Sequence, residues 1–536
     1  MPQPPSFLDY APVSLAFGTS GLRGLVKDIT DLEAYINVKG GLRYLLATKD
    51  VAPGSRVVLA GDLRPSTGRI LVAAARAIVD AGCAVENAGT IPTPALVARA
   101  MATRCAGVMV TGSHIPFDRN GIKINRSAGE ILKTDEAGIT REVERVREEE
   151  YARGAAGSAF DAAGALRAPA PLPPVDGAAE EAYLRRTVDA FPPGCLAGTR
   201  VVFYQHSAVG RDLLPRILRE LGADVVAAGR SETFVALDTE NVTGEQLDRL
   251  EALAVAAGQG GAPVHAVVST DGDSDRPLVA AVAPASVART GRRVRFLPGD
   301  LLGIVVAELL SARAVAVPIS ANDAVERRMR ERGVLLEKTK IGSPYVIAAI
   351  ESMKQQGRPG PIVGWEANGG FLAGTDLAVP GGRTMTALPT RDSTLPIVAN
   401  LFAAARRGIP LGALWDELPR RFGSSGLLDE VPVAASRALV AALVPPGEAT
   451  EVAFARLARV FTPALGFDRV ARVDVLDGVR VYFENGDVAH VRPSGNAPQL
   501  RIYANADSQE RADRIVAEGL REPDGLLRAL LGLAAP

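Results

Sequence analysis

The sequence predicts an α/β protein of three related units, closed by a smaller α+β segment. Two observations carry this expectation: a pattern of apolar run, helix and second apolar run recurs three times, and the tail then changes style. The first copy is Ser55 to Asp62, a helix from about Gly68 to Ala81, and Gly82 to Gly89. The second is Val201 to His206, a helix from about Gly210, and Gly222 to Gly229. The third is Ala314 to Ser320, a helix to about Glu331, and Gly333 to Glu337. Short β-rich runs alternating with helices imply βαβ crossovers and parallel strand pairing. Any α/β protein alternates in this way, so the pattern alone gives the class.

Between the first two copies, Arg141 to Glu150 reads as a dense charged helix. Residues 154–177 are rich in Ala, Gly and Pro and read as a linker or exposed excursion. A further break is expected near Gly423-Ser424-Ser425-Gly426. In the tail, Asp477 to Phe483 and Val488 to Val491 read as a hairpin closed at Asn485-Gly486. Gln499 to Ala504 reads as another strand, and Ser508 to Glu518 and Asp524 to Leu531 as helices.

The chain has 536 residues, 47% of them hydrophobic and 23% charged, enough apolar content to exclude a largely disordered protein. Its 60 Lys+Arg against 61 Asp+Glu leave no basic footprint for nucleic acid or for an anionic membrane surface. The longest apolar stretch, Leu301 to Leu310, contains Glu308 and is too short to span a bilayer. Met1 to Ser14 lacks the basic and apolar regions of a signal peptide. Cys83, Cys105 and Cys195 form neither a CxxC nor a disulfide framework, so a reducing compartment and a cytoplasmic protein are expected. Only eight Lys and four His are present, which makes either residue inside a motif informative.

Asp271-Gly272-Asp273-Ser274-Asp275-Arg276 follows the apolar run Ala266 to Val268. Alternate carboxylates in a tight turn can converge on one hard cation, and oxygen-only ligation suits Mg²⁺ or Ca²⁺. An EF-hand is excluded, since Arg276 stands where its glycine belongs and Val282 where its glutamate belongs. Thr111-Gly112-Ser113-His114-Ile115-Pro116 follows another apolar run, with Lys123 shortly after. A hydroxyl at a strand end beside a scarce His and a scarce Lys is a candidate nucleophile or phosphate carrier. Phe17 to Gly24 and Arg492 to Pro498, with Arg501, combine glycine, hydroxyl and guanidinium groups able to hold phosphate. Gly364 to Gly370 offers Glu366 and Asn368 for sugar hydroxyls. Each of these segments alone could be an ordinary solvated turn.

Together, and in this order, the motifs resemble the α-D-phosphohexomutase superfamily, from about Phe17 to Ala506. Phe17 to Gly24 is similar to the family's FGTSGxRG segment, and residues 111–116 to its phosphoserine loop T-A-S-H-N-P. Asp271 to Arg276 matches D-G-D-x-D-R, Glu366 to Gly369 the sugar loop, and Arg492 to Pro498 the C-terminal phosphate loop. Thr339-Lys340-Ile341-Gly342 looks like the loop that helps select the sugar.

The resemblance implies three α/β/α mixed-sheet domains plus a C-terminal α+β domain, bounded at 1–165, 178–290, 291–420 and 421–536. It implies a phosphohexomutase, with a hexose 1,6-bisphosphate as activator and intermediate. Ser113 would carry the phosphoryl group. Asp271, Asp273, Asp275 and a phosphoserine oxygen of Ser113 would hold Mg²⁺. Arg23, His114 and Lys123 would surround the transferring group, with Lys123 or Arg23 as general acid or base. Arg276, Lys340, Gly342, Glu366 and Asn368 would bind the sugar. Arg492, Ser494, Gly495, Asn496 and Arg501 would grip the other phosphate.

The sugar loop looks closer to phosphomannomutases, with a phosphoglucomutase or a dual-specificity enzyme as the alternative. From other classes, a Mg-dependent sugar phosphatase and a non-catalytic sugar-phosphate-binding protein remain competing readings. The partner expected is the hexose phosphate alone, with a monomer or small homo-oligomer as the assembly. Ile115 and Gly112 depart from the family's Asn and Ala, and Asn496-Ala497 from its Thr-Glu.

Overall fold

The computed structural model describes residues 7–18, 21–259, 261–283, 291–445, 447–493 and 498–533. It divides into two compact units: residues 1–316 with 342–415, and residues 317–341 with 416–536.

The first unit is α/β with mixed sheets. In the first sheet, strand Arg56–Gly61 pairs in parallel with Ala84–Gly89 on one side and Ala106–Val110 on the other. Ala106–Val110 then pairs antiparallel with Arg119–Arg126, which continues to Leu22–Leu25. The second sheet repeats this arrangement. Arg200–His206 pairs in parallel with Asp224–Arg230 and Ala266–Thr270, and Ala266–Thr270 pairs antiparallel with Pro277–Val282. In the third, Ala314–Pro318 pairs in parallel with Ile362–Trp365, which pairs antiparallel with Phe371–Ala373. The central strands are apolar runs buried along their length, as expected where helices cover both faces of a sheet.

The three copies share one chain order: strand, helix, strand, helix, strand, antiparallel strand. The sequence showed the first three elements of each copy, and in the first two copies the apolar run that forms the fifth. The fourth to sixth complete it: Thr93–Thr103, Ala106–Val110 and Arg119–Arg126 in the first copy. In the second they are Gly244–Ala257, Ala266–Thr270 and Pro277–Val282, and in the third Ser343–Gln355, Ile362–Trp365 and Phe371–Ala373. In every copy the loop between the last two strands carries a motif: the serine loop, residues 271–276, and residues 366–370.

The excursion at 154–177 is partly anchored. Phe160 and Leu166 are buried in the first core, while residues 167–171 are exposed. The charged helix is longer than its densest charge, Lys133–Ala152, because Ile139, Val143 and Val146 give it an apolar face.

The second unit holds an antiparallel sheet ordered Phe422–Leu428, Leu500–Ala506, Val488–Pro493, Val479–Phe483, Val470–Asp474. The break expected at Gly423 to Gly426 is absent, since these residues lie inside strand Phe422–Leu428. Gly426 serves packing: a Cβ there would stand 2.6 Å from Leu520 and 2.8 Å from Val516 on helix Gln509–Leu520. The hairpin turns at Gly486, with φ of +85°. No helix among the described residues is long and apolar enough to cross a membrane.

His490 on strand Val488–Pro493 is buried, with its Nε2 2.6 Å from the Asp477 carbonyl. Burial, then Arg480, pushes its pKa down to about 3 from an ordinary 6.5. Between those values the unfolded chain binds the proton that the folded chain refuses, so stability is full above pH 6.5 and falls as the pH drops. His490→Gln is expected to flatten this acid slope in urea midpoints measured from pH 7 to 4, whatever its effect on stability at pH 7.

Candidate functional site

The serine loop leaves strand Ala106–Val110 at Thr111. Asp62, buried at the end of strand Arg56–Gly61, gathers its start: Oδ2 accepts from Thr111 Oγ1 at 2.8 Å and from Gly112 N–H at 3.2 Å. Thr111 Oγ1 in turn accepts from Ser113 N–H at 2.8 Å. Ser113 is fully buried and sits at φ of +55°, a conformation a non-glycine residue holds only when its surroundings impose it. Its Oγ donates to Asp271 Oδ2 at 2.6 Å and lies 3.4 Å from His114 Nδ1.

The carboxylate turn begins at the end of strand Ala266–Thr270. Ligand oxygens of Asp271, Asp273 and Asp275 lie within 4.8 Å of one another, all buried. The turn closes on itself, as Asp271 Oδ1 accepts from the N–H groups of Asp275 and Arg276, each at 3.2 Å. Ser274 in its middle also takes positive φ, +55°.

Cations surround the cluster. Lys123 Nζ donates to Asp273 at 2.7 Å and to Asp275 at 2.9 Å. Arg391 bridges Asp275 Oδ2, 2.9 Å from its Nη2, and Glu366 Oε2, 3.2 Å from its Nη1. Arg276 Nε stands 3.9 Å from Asp271 and 3.7 Å from Asp275. Arg23, on strand Leu22–Leu25, makes no side-chain hydrogen bond among the described residues. Burial, then repulsion from Arg276 and Arg391, lowers its pKa to about 10.

The carboxyls feel these surroundings differently. Burial disfavours the charged form of a carboxyl. At Asp271 burial prevails, helped by Asp273 and Asp275, and the pKa stands well above the usual range. At Asp273 burial is outweighed by Lys123 and by the Thr93 hydroxyl, and the group stays ionised. Burial disfavours charge on Lys123 as well, yet Asp273 and Asp275 reverse this and hold it cationic. His114 is driven the other way: burial, then Arg276 and Arg23, keep it neutral.

A hard divalent cation fits these donors. Among the described residues, Asp273 Oδ1 and Asp275 Oδ1 are buried acceptors without a hydrogen-bond partner, Asp275 Oδ1 standing 3.7 Å from Arg276 Nε. Buried carboxylate oxygens that accept no hydrogen bond are costly unless a cation takes them.

The sugar loop reaches the same centre through Glu366 and Arg391. Asn368 is buried, but its Oδ1 is committed to Gly370 N–H at 3.0 Å and its carbonyl to Thr239 Oγ1 at 2.9 Å. Gly342 caps helix Ser343–Gln355 in the first unit. Lys340 is exposed and belongs to the second unit.

In the second unit Arg492 and Arg501 are direct cross-strand partners. Arg492 Nε is bonded to Asp477 at 3.0 Å, whereas the buried Arg501 Nε has no partner among the described residues. Like charges placed opposite each other in a sheet destabilise it unless an anion is supplied. Ser494, Gly495 and Asn496 lie outside the described residues, as do Thr19 and Ser20 of the first glycine-rich segment.

Two further residues at this centre were not legible in the sequence. Arg391 carried no motif. Thr93 opens the helix that precedes the serine-loop strand, and its Oγ1 donates to Asp273 Oδ2 at 2.7 Å.

The phosphoglucomutase/phosphomannomutase alpha/beta/alpha domain I matches residues 14–150, domain III residues 298–422, and the C-terminal domain residues 439–521. A phosphomannomutase from Sinorhizobium fredii is 37% identical over 510 residues, covering 94% of this chain and 98% of the relative. A phosphoglucosamine mutase from Thermobifida fusca is 27% identical, covering 93% of this chain and 96% of its own. The crystal structure of a phosphoglucomutase/phosphomannomutase family protein from Burkholderia thailandensis covers 97% of both chains, with a TM-score of 0.66 and 19% identity.

Thr93→Val, which leaves Asp273 without its hydroxyl partner, is expected to weaken Mg²⁺ binding by about 10–100-fold in calorimetric titration of the full chain. The chain belongs to the phosphoglucomutase/phosphomannomutase family.

Proposed function

We propose that this protein is a phosphomannomutase, interconverting mannose 1-phosphate and mannose 6-phosphate through a phosphoserine at Ser113. The observation that carries the reading is the Ser113 hydroxyl, 2.6 Å from Asp271 inside a buried cluster of carboxylates ringed by cations. Phosphoryl transfer asks little covalent chemistry of a protein; it asks for positioning and neutralised charge. Identity of 37% to the Sinorhizobium phosphomannomutase against 27% to the Thermobifida phosphoglucosamine mutase supports mannose as the sugar.

Asp271, Asp273, Asp275 and a phosphoserine oxygen would hold Mg²⁺, which would supply charge neutralisation at the transferring group. In the first transfer the P–Oγ bond of phosphoserine breaks as the free sugar hydroxyl forms its bond to phosphorus. The hydroxyl proton passes to a neighbouring group, and Ser113 Oγ regains a proton. The bisphosphorylated sugar then turns and returns its other phosphate to Ser113. Lys123, held cationic, and Arg23 flank the transferring group, and one of them gives its proton to the departing Ser113 Oγ and regains one from the attacking sugar hydroxyl. His114, kept neutral beside Ser113, orients the hydroxyl without adding charge. Glu366 and Asn368, with Arg276, Lys340 and Gly342, bind the sugar; Arg492, Ser494, Gly495, Asn496 and Arg501 bind the other phosphate. The domains run 1–165, 178–290, 291–420 and 421–536. The chain acts in the cytoplasm as a monomer or small homo-oligomer, with no nucleic-acid or membrane partner.

A coupled assay across mannose, glucose and N-acetylglucosamine phosphates tests the reading, with the highest kcat/KM expected for mannose phosphate. Ser113→Ala is expected to lower kcat by about 10³-fold or more; near-full turnover in this variant rules the phosphoserine route out. Arg501→Gln is expected to raise KM by about tenfold with kcat little changed, the signature of lost uniform binding. A fall in kcat at constant KM contradicts a phosphate-holding role for Arg501.

A further inference from the structure

Arg64 lies in the turn after strand Arg56–Gly61 and is only 3% exposed. Asp62 fixes its direction: Oδ1 accepts from the Arg64 N–H and Oδ2 from Nε, both at 3.1 Å. The far end of the guanidinium then collects the carbonyls of the serine loop. Nη2 donates to Ser113 O at 2.9 Å and Ile115 O at 2.5 Å; Nη1 donates to Pro116 O at 2.6 Å and Arg119 O at 2.9 Å. The cation also lies 4.0 Å from the centroid of the Phe234 ring.

Phe234 belongs to the second α/β copy, in the segment after strand Asp224–Arg230. Its ring packs on the carboxylate turn as well. A Cβ built on Gly272 would stand 3.2 Å from that ring and 2.6 Å from Ser113 O. Arg64, Phe234, Gly272 and the Ser113 carbonyl are therefore parts of one close-packed contact between the serine loop and the carboxylate turn. Gly112 completes it, since a Cβ there would lie 2.5 Å from Arg64 Cζ. Gly112 is one of the departures from the family pattern, which has alanine at this position.

The structure assigns Arg64 as a positioning residue of the transfer reaction, a guanidinium clamp backed by Phe234 that sets where Ser113 Oγ stands relative to Asp271. This inference rests on Ser113 being the phosphoryl carrier. The physical need is clear from the loop itself. Pro116, Phe117, Asp118 and Arg119 are exposed, so the loop has little packing of its own, and Ser113 is held in a sparsely populated backbone conformation. A planar fork of N–H donors can satisfy several carbonyls at fixed angles; a lysine ammonium cannot reproduce that fork.

The test combines steady-state kinetics with amide hydrogen exchange on the full chain. Arg64→Lys is expected to lower kcat by about 10²-fold, the scale of a 1 Å misplacement of a reacting group, with KM changed by less than about threefold. In the same variant the amides of residues 112–119 should exchange about tenfold faster or more while the rest of the first sheet stays protected. Gly112→Ala, which adds one methyl against the clamp, should shift kcat and loop exchange in the same direction, and Phe234→Leu more weakly. These two variants carry the test if Arg64→Lys does not fold. Unchanged kcat and unchanged loop exchange in the folded variants overturn the assignment, as does a rise in KM at constant kcat. Hydrogen exchange reads the clamp without substrate, so a wild-type protein inactive on every hexose phosphate refutes the proposed function while the exchange data still decide whether Arg64 holds the loop.

Discussion

The constraint on which the rest of the structure depends is the burial of Asp271, Asp273 and Asp275 around one point. Carboxylates packed this closely in a dry interior repel one another and lack water, so they persist only if cations are fixed beside them. The fold supplies those cations from several places: Lys123 from the first copy, Arg276 from the turn itself, and Arg391 from strand Leu388–Asp392. Their convergence requires the copies to meet at the ends of their strands. Further bonds serve the same meeting: Thr93 to Asp273, Ser393 Oγ to the Ser274 carbonyl at 2.7 Å, and Glu130 to both Ser343 and Thr390.

Repetition explains how a chain arrives at such a centre. Each α/β copy ends with a parallel strand that turns back antiparallel, and the turn falls at the carboxyl end of that strand. Ligand sites of α/β sheets gather at strand carboxyl ends. One copy placed a hydroxyl in this turn, the next a carboxylate cluster, the third a glutamate on a glycine loop. The same scaffold thus presents a buried hydroxyl, a carboxylate cluster and a buried glutamate from equivalent positions in its three copies.

What the sequence made legible follows from the range of the forces involved. The strands Arg56–Gly61, Arg200–His206 and Ala314–Pro318 were visible because a buried parallel strand is a continuous apolar run. The serine and carboxylate turns were visible because their chemistry is local. Arg391, Thr93 and Arg64 were not, because each acts on a partner far away in the chain, and an arginine among 52 carries no signal of its own. The misread break at Gly423 to Gly426 has the opposite cause. A Gly-Ser-Ser-Gly run has the local character of a loop, yet pairing with Leu500–Ala506 and the close approach of helix Gln509–Leu520 override that preference.

The near-zero net charge of the whole chain is repeated inside the site. Lys123, Arg23, Arg276 and Arg391 formally balance Asp271, Asp273, Asp275 and Glu366, while His114 is kept neutral. A buried site at balance resists a lone added charge of either sign. A phosphoryl group brings about −1.5 to −2, and a divalent cation brings the compensating charge, so the two restore balance only when they enter together. Burial and the neighbouring Asp273 and Asp275 push the Asp271 carboxyl toward the neutral form, and it accepts a hydrogen bond from the Ser113 hydroxyl, the phosphate carrier of the proposed reaction. In the proposed reaction, phosphorylation of Ser113 would remove that hydroxyl proton, and a cation at the freed carboxylate would answer both changes. On that proposal metal binding and serine phosphorylation would be two halves of one electrostatic requirement, set by how deeply the fold buries its carboxylates.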